Sequence, residues 1–187
     1  YLENSNYYVE DIRKLIVDRY GFDKVYKQGF TINTPLNLNL QEKATQSLRK
    51  GLIEFDKKKG WRGTLLNRKY SSNWSQNLKD YKLEESIGWK LSIIKKINRF
   101  SVEIETIDGI NGIIEFSSIK WTKKNFEDLF DVGDIIYVEL IKDNKFNLRQ
   151  LPKVNGAIVV MDPYTGRVLA LSGGFSFKNS EFNRATQ

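Results

Sequence analysis

Between Trp89 and Leu148 the chain alternates apolar and polar residues in five short runs. Trp89, Leu91 and Ile93 make the first. Phe100, Val102 and Ile104 make the second, with Ser101, Glu103 and Glu105 between them. Asp108-Gly109 and Asn111-Gly112 supply the residues that tight hairpin turns need, and Ile114 and Phe116 follow. Ile136, Val138 and Leu140 come next, then the turn Lys142-Asp143-Asn144, then Phe146 and Leu148. A period of two sends successive side chains to opposite faces of a strand, so each run predicts a strand with one face on a core.

The connector 117–130 breaks the alternation, and Phe126, Leu129 and Phe130 predict a short helical piece there. Three strands, a helix-bearing connector and two strands is the order of an OB-type barrel. The alternation by itself also fits other small five-stranded barrels. Trp89 and Trp121 could form a stacking platform on such a barrel, of the kind that takes nucleic acid or sugar. The plainer reading has Trp89 filling the barrel and Trp121 covering one mouth.

The flanks read differently. Tyr8, Ile12, Leu15 and Ile16 share one face of a helix over 7–20, with Asn6 as its N-cap and Gly21 as its stop. Phe30-Thr31-Ile32-Asn33 predicts a short strand, ended by Pro35. Asn37 caps a second helix whose buried stripe is Leu40, Ala44, Leu48, Leu52 and Phe55. Gly51 inside it suggests a close contact. Residues 62–86 are mostly polar and predict a long, partly ordered loop with Trp74 and Leu78 as anchors. Residues 156–175 predict a hairpin. Its first strand, Ala157 to Met161, is apolar enough for burial on both faces, and Asp162-Pro163-Tyr164-Thr165-Gly166 is its turn.

The chain has no His and no Cys, so a Ser-His-Asp triad, a thiolate nucleophile and a thiolate metal site are excluded. Its net charge of +7 raises the question of nucleic acid. Yet residues 1–60 carry 11 basic and 8 acidic side chains, residues 61–152 carry 15 and 13, and residues 153–187 carry 4 and 2. Charge so dispersed argues against a phosphate-binding module, which concentrates Lys and Arg. Lys120, Lys123 and Lys124 could meet an acidic partner, or form a solvated face. Glu103 and Glu105, with Glu115 nearby, read as the water side of the sheet.

Three Ser-x-x-Lys strings occur: Ser47 to Lys50, Ser92 to Lys95 and Ser117 to Lys120. Ser71-Ser72-Asn73 and Ser75-Gln76-Asn77 match Ser-x-Asn. In a Lys-rich chain such spacings arise by chance, and nothing around them supplies a base or an oxyanion hole. No catalytic residue, metal ligand or cofactor site is expected. No stretch reaches the length of a membrane span.

The last 36 residues carry the most specific signal. Pro152-Lys153-Val154-Asn155-Gly156-Ala157, Asp162 to Ala170, Gly173-Gly174-Phe175 and Phe182 to Gln187 resemble the entry to the transpeptidase domain of class A penicillin-binding proteins, the bifunctional 1A-type enzymes. Tyr7-Tyr8-Val9, Gly29 to Leu36 and Lys59-Gly60-Trp61-Arg62-Gly63 agree in order, as do Ile119-Lys120-Trp121, Val132-Gly133-Asp134 and Leu148 to Leu151. The resemblance implies a five-stranded OB-like barrel over 61–152, inserted between a strand-helix unit over 29–60 and the first hairpin of a transpeptidase domain over 153–187. Residues 1–28 would be a linker helix region.

The resemblance also implies that the reactive Ser lies beyond Gln187 and the glycosyltransferase domain before Tyr1, so the chain itself would be a scaffold and docking segment. Its expected site is a binding surface on the barrel with Trp89, Lys120 and Trp121. Expected partners are peptidoglycan and a regulatory envelope protein, without nucleic acid, and with membrane attachment only through other parts. The expected location is the periplasmic face of the bacterial inner membrane. Segment 156–172, uncovered, is expected to drive self-association.

Overall fold

The alternating stretch closes on itself. The computed structural model describes residues 3–71 and 73–187. Three helices come first, α1 (Asn6–Tyr20), α2 (Phe22–Lys27) and α3 (Leu38–Lys57), followed by the strands β1 (Leu66–Asn67), β2 (Trp89–Ile97), β3 (Ser101–Thr106) and β4 (Asn111–Glu115). Then come α4 (Phe126–Leu129), β5 (Asp134–Lys142), β6 (Lys145–Arg149) and the pair β7 (Ile158–Met161) and β8 (Val168–Ser172). The chain divides into two compact units, one of residues 55–153 and one of residues 1–54 with 154–187.

In the first unit β2 pairs antiparallel with β3 and β5, β3 with β4, and β5 with β6. A short parallel contact, Ile113↔Lys145 and Ile114↔Phe146, joins β4 to β6 and completes a closed five-stranded barrel. Register shifts at Ile94/Lys96 and Leu140/Lys142 bend the two long strands, as closure requires. Gly112 stands at the seam. A Cβ there would lie 2.3 Å from the Phe146 ring and 2.5 Å from the Asn144 carbonyl. Ile94, Val102, Ile104, Ile114, Ile136, Val138, Phe146 and Leu148 fill the interior, and Phe126 and Phe130 of the connector plug it.

A second core lies outside the barrel wall. Leu91, Ile93, Ile135 and Tyr137 point outward from β2 and β5 and are covered by Trp74 and Leu78. Trp74 is 4% exposed and Leu78 1%, so the segment expected to be partly ordered is instead a packed cover. Leu65, Leu66, Tyr81 and Leu83 pack against the same core, and polar bonds add to the hold. The Glu105 carboxylate accepts hydrogen bonds from the Tyr70 hydroxyl at 2.6 Å, Trp74 Nε1 at 3.1 Å and Lys95 Nζ at 3.3 Å. Both faces are therefore buried over Leu91–Ile94 of β2 and Asp134–Val138 of β5. Trp89 sits in this outer core and not inside the barrel, and Phe100, expected inward, is 71% exposed at the β2–β3 turn.

Buried Asp56 holds the ends of this unit together. Its carboxylate accepts from Arg62 Nη1 and Nη2 at 2.9 Å, from Gln150 Nε2 at 2.9 Å and from the Lys153 backbone N–H at 3.1 Å.

In the other unit, Asn6 is the first residue of α1 and not its cap, and Gly21 ends it at φ 83°. Tyr7 and Tyr8 are buried, whereas Leu15 of the expected face is 59% exposed and α2 was not foreseen. Residues 30–33 form no ladder. Four alternating residues suggest a strand, but a strand needs a neighbour to bond.

Asn37 caps α3, its Oδ1 accepting from the Leu40 N–H at 3.1 Å. Ala44 is buried as expected, Phe55 is exposed, and the polar Gln41 and Thr45 are buried beside Ala44. Gly51 has open space beyond it. The β7–β8 hairpin forms, but β7 is not buried on both faces: Val159 is 46% and Met161 56% exposed. Ala170, Leu171 and Ser172 of β8 are buried.

Candidate functional site

None of the Ser-x-x-Lys strings assembles a nucleophile. Ser92 is fully buried inside the barrel, while Lys95 points outward to Glu105 and to Asn111 Oδ1 at 2.9 Å. An offset of three along a strand separates the two faces. Ser47 and Lys50 are both exposed on α3. Ser117 and Lys120 lie in consecutive helical turns of the connector, exposed and unconnected by any hydrogen bond. Ser72 of the string 71–73 lies outside the described residues.

The three expected binding residues do not form one site. Trp89 belongs to the outer core, its ring 6.3 Å from that of Tyr137 and 6.0 Å from the Arg149 guanidinium, which pairs with Glu139. It lines a cleft of about 400 Å³ with Tyr81, Leu83, Lys90, Ile107 and Asp108, and Lys90 is paired with Asp108 at 2.5 Å. Tyr137, beneath the cleft, donates to the Tyr81 carbonyl at 2.6 Å, and burial pushes its hydroxyl up to about 12. Trp121 packs against the barrel core through Trp61, with the rings 6.0 Å apart and edge to face. The two indoles thus lie in different clusters and make no common platform.

Lys120 sits on the connector, and the connector is rigid. Ile119 is fully buried. Trp121 Nε1 donates to the Ser118 carbonyl at 3.1 Å, and Ser118 Oγ donates to the Phe146 carbonyl at 3.2 Å. Buried Thr122 donates to the Ile119 carbonyl at 2.7 Å and accepts from the Lys124 N–H at 3.3 Å. Lys123 closes the turn in the left-handed region at φ 59°, where residues with a Cβ are uncommon. The chemistry on offer is therefore three ammonium groups, Lys120, Lys123 and Lys124, held on a fixed turn around a hollow of about 650 Å³.

The sequence reading missed what stands next to them. Phe116 lines that hollow and also a second one of about 490 Å³ with Arg99 and Phe100. The available signal was Arg99-Phe100 at a hairpin tip, where a large apolar side chain has no core to enter. The carboxylates of the sheet surface are all engaged: Glu103 accepts from Asn98 Nδ2 at 3.0 Å and Glu115 from Lys145 at 2.7 Å. Hydrogen bonds from Tyr70 first, then from Trp74 and Lys95, hold the Glu105 carboxyl below the usual carboxylate range. Among the described residues no group of acidic side chains is placed to hold a metal ion.

A closed five-stranded barrel with a helical plug between its third and fourth strands is an OB-type fold. Residues 61–154 match the family model described as "Penicillin-binding protein OB-like domain". The chain belongs to that family, as an OB-like segment of class A penicillin-binding proteins of the 1A type. It is 39% identical over 188 residues to penicillin-binding protein 1A of Rickettsia prowazekii, covering 98% of this chain and 24% of that protein. It is 31% identical to the protein of the same name from Pseudomonas aeruginosa, again over 98% of this chain and 24% of the relative. The crystal structure of penicillin-binding protein 1A from Haemophilus influenzae superposes with a TM-score of 0.84 at 25% identity, over 97% of this chain and 28% of that one. The chain thus spans about a quarter of the relatives it matches.

Proposed function

We propose that this chain is a non-catalytic scaffold and docking segment of a bifunctional cell-wall synthase. The parent protein polymerises a lipid-linked disaccharide and cross-links the stem peptides through an acyl-enzyme, the step that penicillin traps. The observation that carries this reading is the likeness to 1A-type relatives over almost the whole chain, together with three Ser-x-x-Lys strings of which none is built as a site. In this reading the barrel is an OB-like insert, residues 29–60 and 153–187 flank it as parts of a transpeptidase domain, and residues 1–28 are a linker. The parent works on the periplasmic face of the inner membrane, held there by parts other than this chain. Among the described residues no helix is long and apolar enough to cross a membrane. Peptidoglycan and a regulatory envelope protein are the partners of the barrel. Its division of labour follows from rigidity: a closed barrel has no free sheet edge and presents fixed surfaces. The test uses the full-length protein with lipid-linked disaccharide. Polymer whose cross-links disappear on adding penicillin supports the reading, and a full-length protein that makes neither polymer nor cross-links overturns it.

A further inference from the structure

We infer that the basic and aromatic surface around the β4–β5 connector binds the carboxylate-bearing glycopeptide of peptidoglycan directly. This rests on the cell-wall reading above and adds the place and the chemistry of contact.

Six cations of the barrel strands and their flanks are paired. Arg62 meets Asp56, Lys90 meets Asp108, Lys95 meets Glu105, Lys96 meets Glu103, Lys145 meets Glu115 and Arg149 meets Glu139. Arg99, Lys120, Lys123 and Lys124 are exposed and, among the described residues, have no carboxylate within ion-pair distance. Only Glu127 and Asp128 line the same hollows, so four positive charges face two negative ones. The lysines are not on a floppy loop. They stand on the hydrogen-bonded turn over buried Ile119 and Thr122, with Lys123 in a backbone conformation that costs free energy and fixes where its side chain leaves the surface.

The two hollows share Phe116 and Asn125 and so lie side by side. Phe100, 71% exposed with the Arg99 guanidinium 5.2 Å from its ring centre, stands at one end, and the lysines at the other. Phe116, 39% exposed, lies between. Adjoining open hollows with exposed aromatic rings along them suit an extended polymer better than a globular partner, whose interface needs a broad apolar centre. Aromatic faces take the C–H faces of sugar rings, and ammonium groups take peptide carboxylates. Bases of a nucleic acid would need a platform of exposed rings, and here Phe126, the ring partner of Phe116, is buried.

The test is co-sedimentation of the 187-residue chain with insoluble peptidoglycan. The wild-type chain is expected to bind at about 50 mM salt and to lose most of its binding by about 500 mM, as screening demands. The variant K120E/K123E/K124E is expected to bind about ten-fold more weakly and Phe100→Ala about three-fold more weakly. The control K43E/K50E/K69E, with the same change in charge, is expected to keep at least half of the binding. Peptidoglycan whose carboxyl groups have been amidated is expected to be bound about as poorly as by the triple variant. Circular dichroism checks that each variant is folded, and Phe100→Ala, at an exposed site, remains decisive if the triple variant is not. Absence of wild-type binding, equal loss in the control, indifference to amidation, or tighter binding to single-stranded oligothymidine overturns the inference. Cross-linking by the full-length protein is measured separately, so an active synthase whose chain ignores peptidoglycan loses this inference and keeps the function.

Discussion

The side chain of Gln41 bonds both backbone groups of Leu171. Its Nε2 donates to the Leu171 carbonyl at 3.0 Å, and the Leu171 N–H donates to its Oε1 at 2.8 Å. A single carboxamide thus occupies the edge of β8 where a neighbouring strand would otherwise pair. Gln41 is 1% exposed, and its Nε2 also reaches the Asn4 carbonyl at 2.8 Å. A buried edge group without a partner costs its full desolvation. Gln41→Leu is therefore expected to destabilise residues 1–54 and 154–187 by about 2 kcal/mol. Urea unfolding, with amide exchange at Leu171 as the local readout, checks it. Unchanged protection at Leu171 contradicts it.

The Asp56 carboxylate is the second buried polar anchor, with four hydrogen bonds from Arg62, Gln150 and Lys153. Asp56→Ala leaves the Arg62 guanidinium without its carboxylate and is expected to cost about 3 kcal/mol in barrel stability. Asp56→Asn, which keeps the shape and loses the charge, should cost less. The midpoints of two denaturant curves decide the order.

At the seam, Gly112→Ala drives a methyl group into Phe146 and the Asn144 carbonyl. The parallel β4–β6 contact is only two residue pairs long, so it yields before the longer ladders do. The variant is expected to lose about 1–3 kcal/mol, with new amide exchange at Ile113 and Phe146. Exchange confined to β2 and β3 would locate the strain elsewhere.

The clamp of segment 65–88 is expected to depend on pH. Hydrogen bonds from Tyr70, Trp74 and Lys95 lower the Glu105 pKa. A carboxyl whose folded pKa lies below its unfolded value stabilises the fold above the unfolded pKa, and that contribution disappears as pH falls through the folded pKa. Acidification below the usual glutamate range is expected to release the Trp74 cover, seen as a change in tryptophan fluorescence. Glu105→Gln should remove that transition. A variant with the same acid profile as wild type contradicts the assignment.

These contacts show how far the sequence reaches. The order of barrel strands follows from alternation and turn residues, because hairpin chemistry is local. The direction of β2 does not. Trp89, Leu91 and Ile93 alternate with residues that are also buried, and a period of two cannot tell an inner core from an outer one when both exist. Trp74 and Leu78, two apolar residues in a polar stretch, were the trace of that outer core. The expected strand at 30–33 fails for a related reason: pairing is a property of neighbours, which four residues do not encode. The basic surface was half visible. Lys120, Lys123 and Lys124 are adjacent in sequence, whereas Arg99 and Phe100 come from another turn of the barrel.

The hairpin edge makes a further prediction. Among the described residues only β8 pairs with β7, and Val159 and Met161 are exposed beside the open edge. Open apolar edges recruit further strands. The isolated chain is expected to self-associate in sedimentation velocity runs at high concentration, and V159K/M161K to sediment as a monomer. A wild-type monomer across the range contradicts it.

Intact mass after exposure to penicillin tests the assigned role most directly. Incubated side by side with the drug, the full-length protein should gain one covalent adduct and the 187-residue chain none. An adduct on the short chain, at Ser47, Ser92, Ser117 or any other residue, would show that the segment carries reactive chemistry of its own and is not a scaffold.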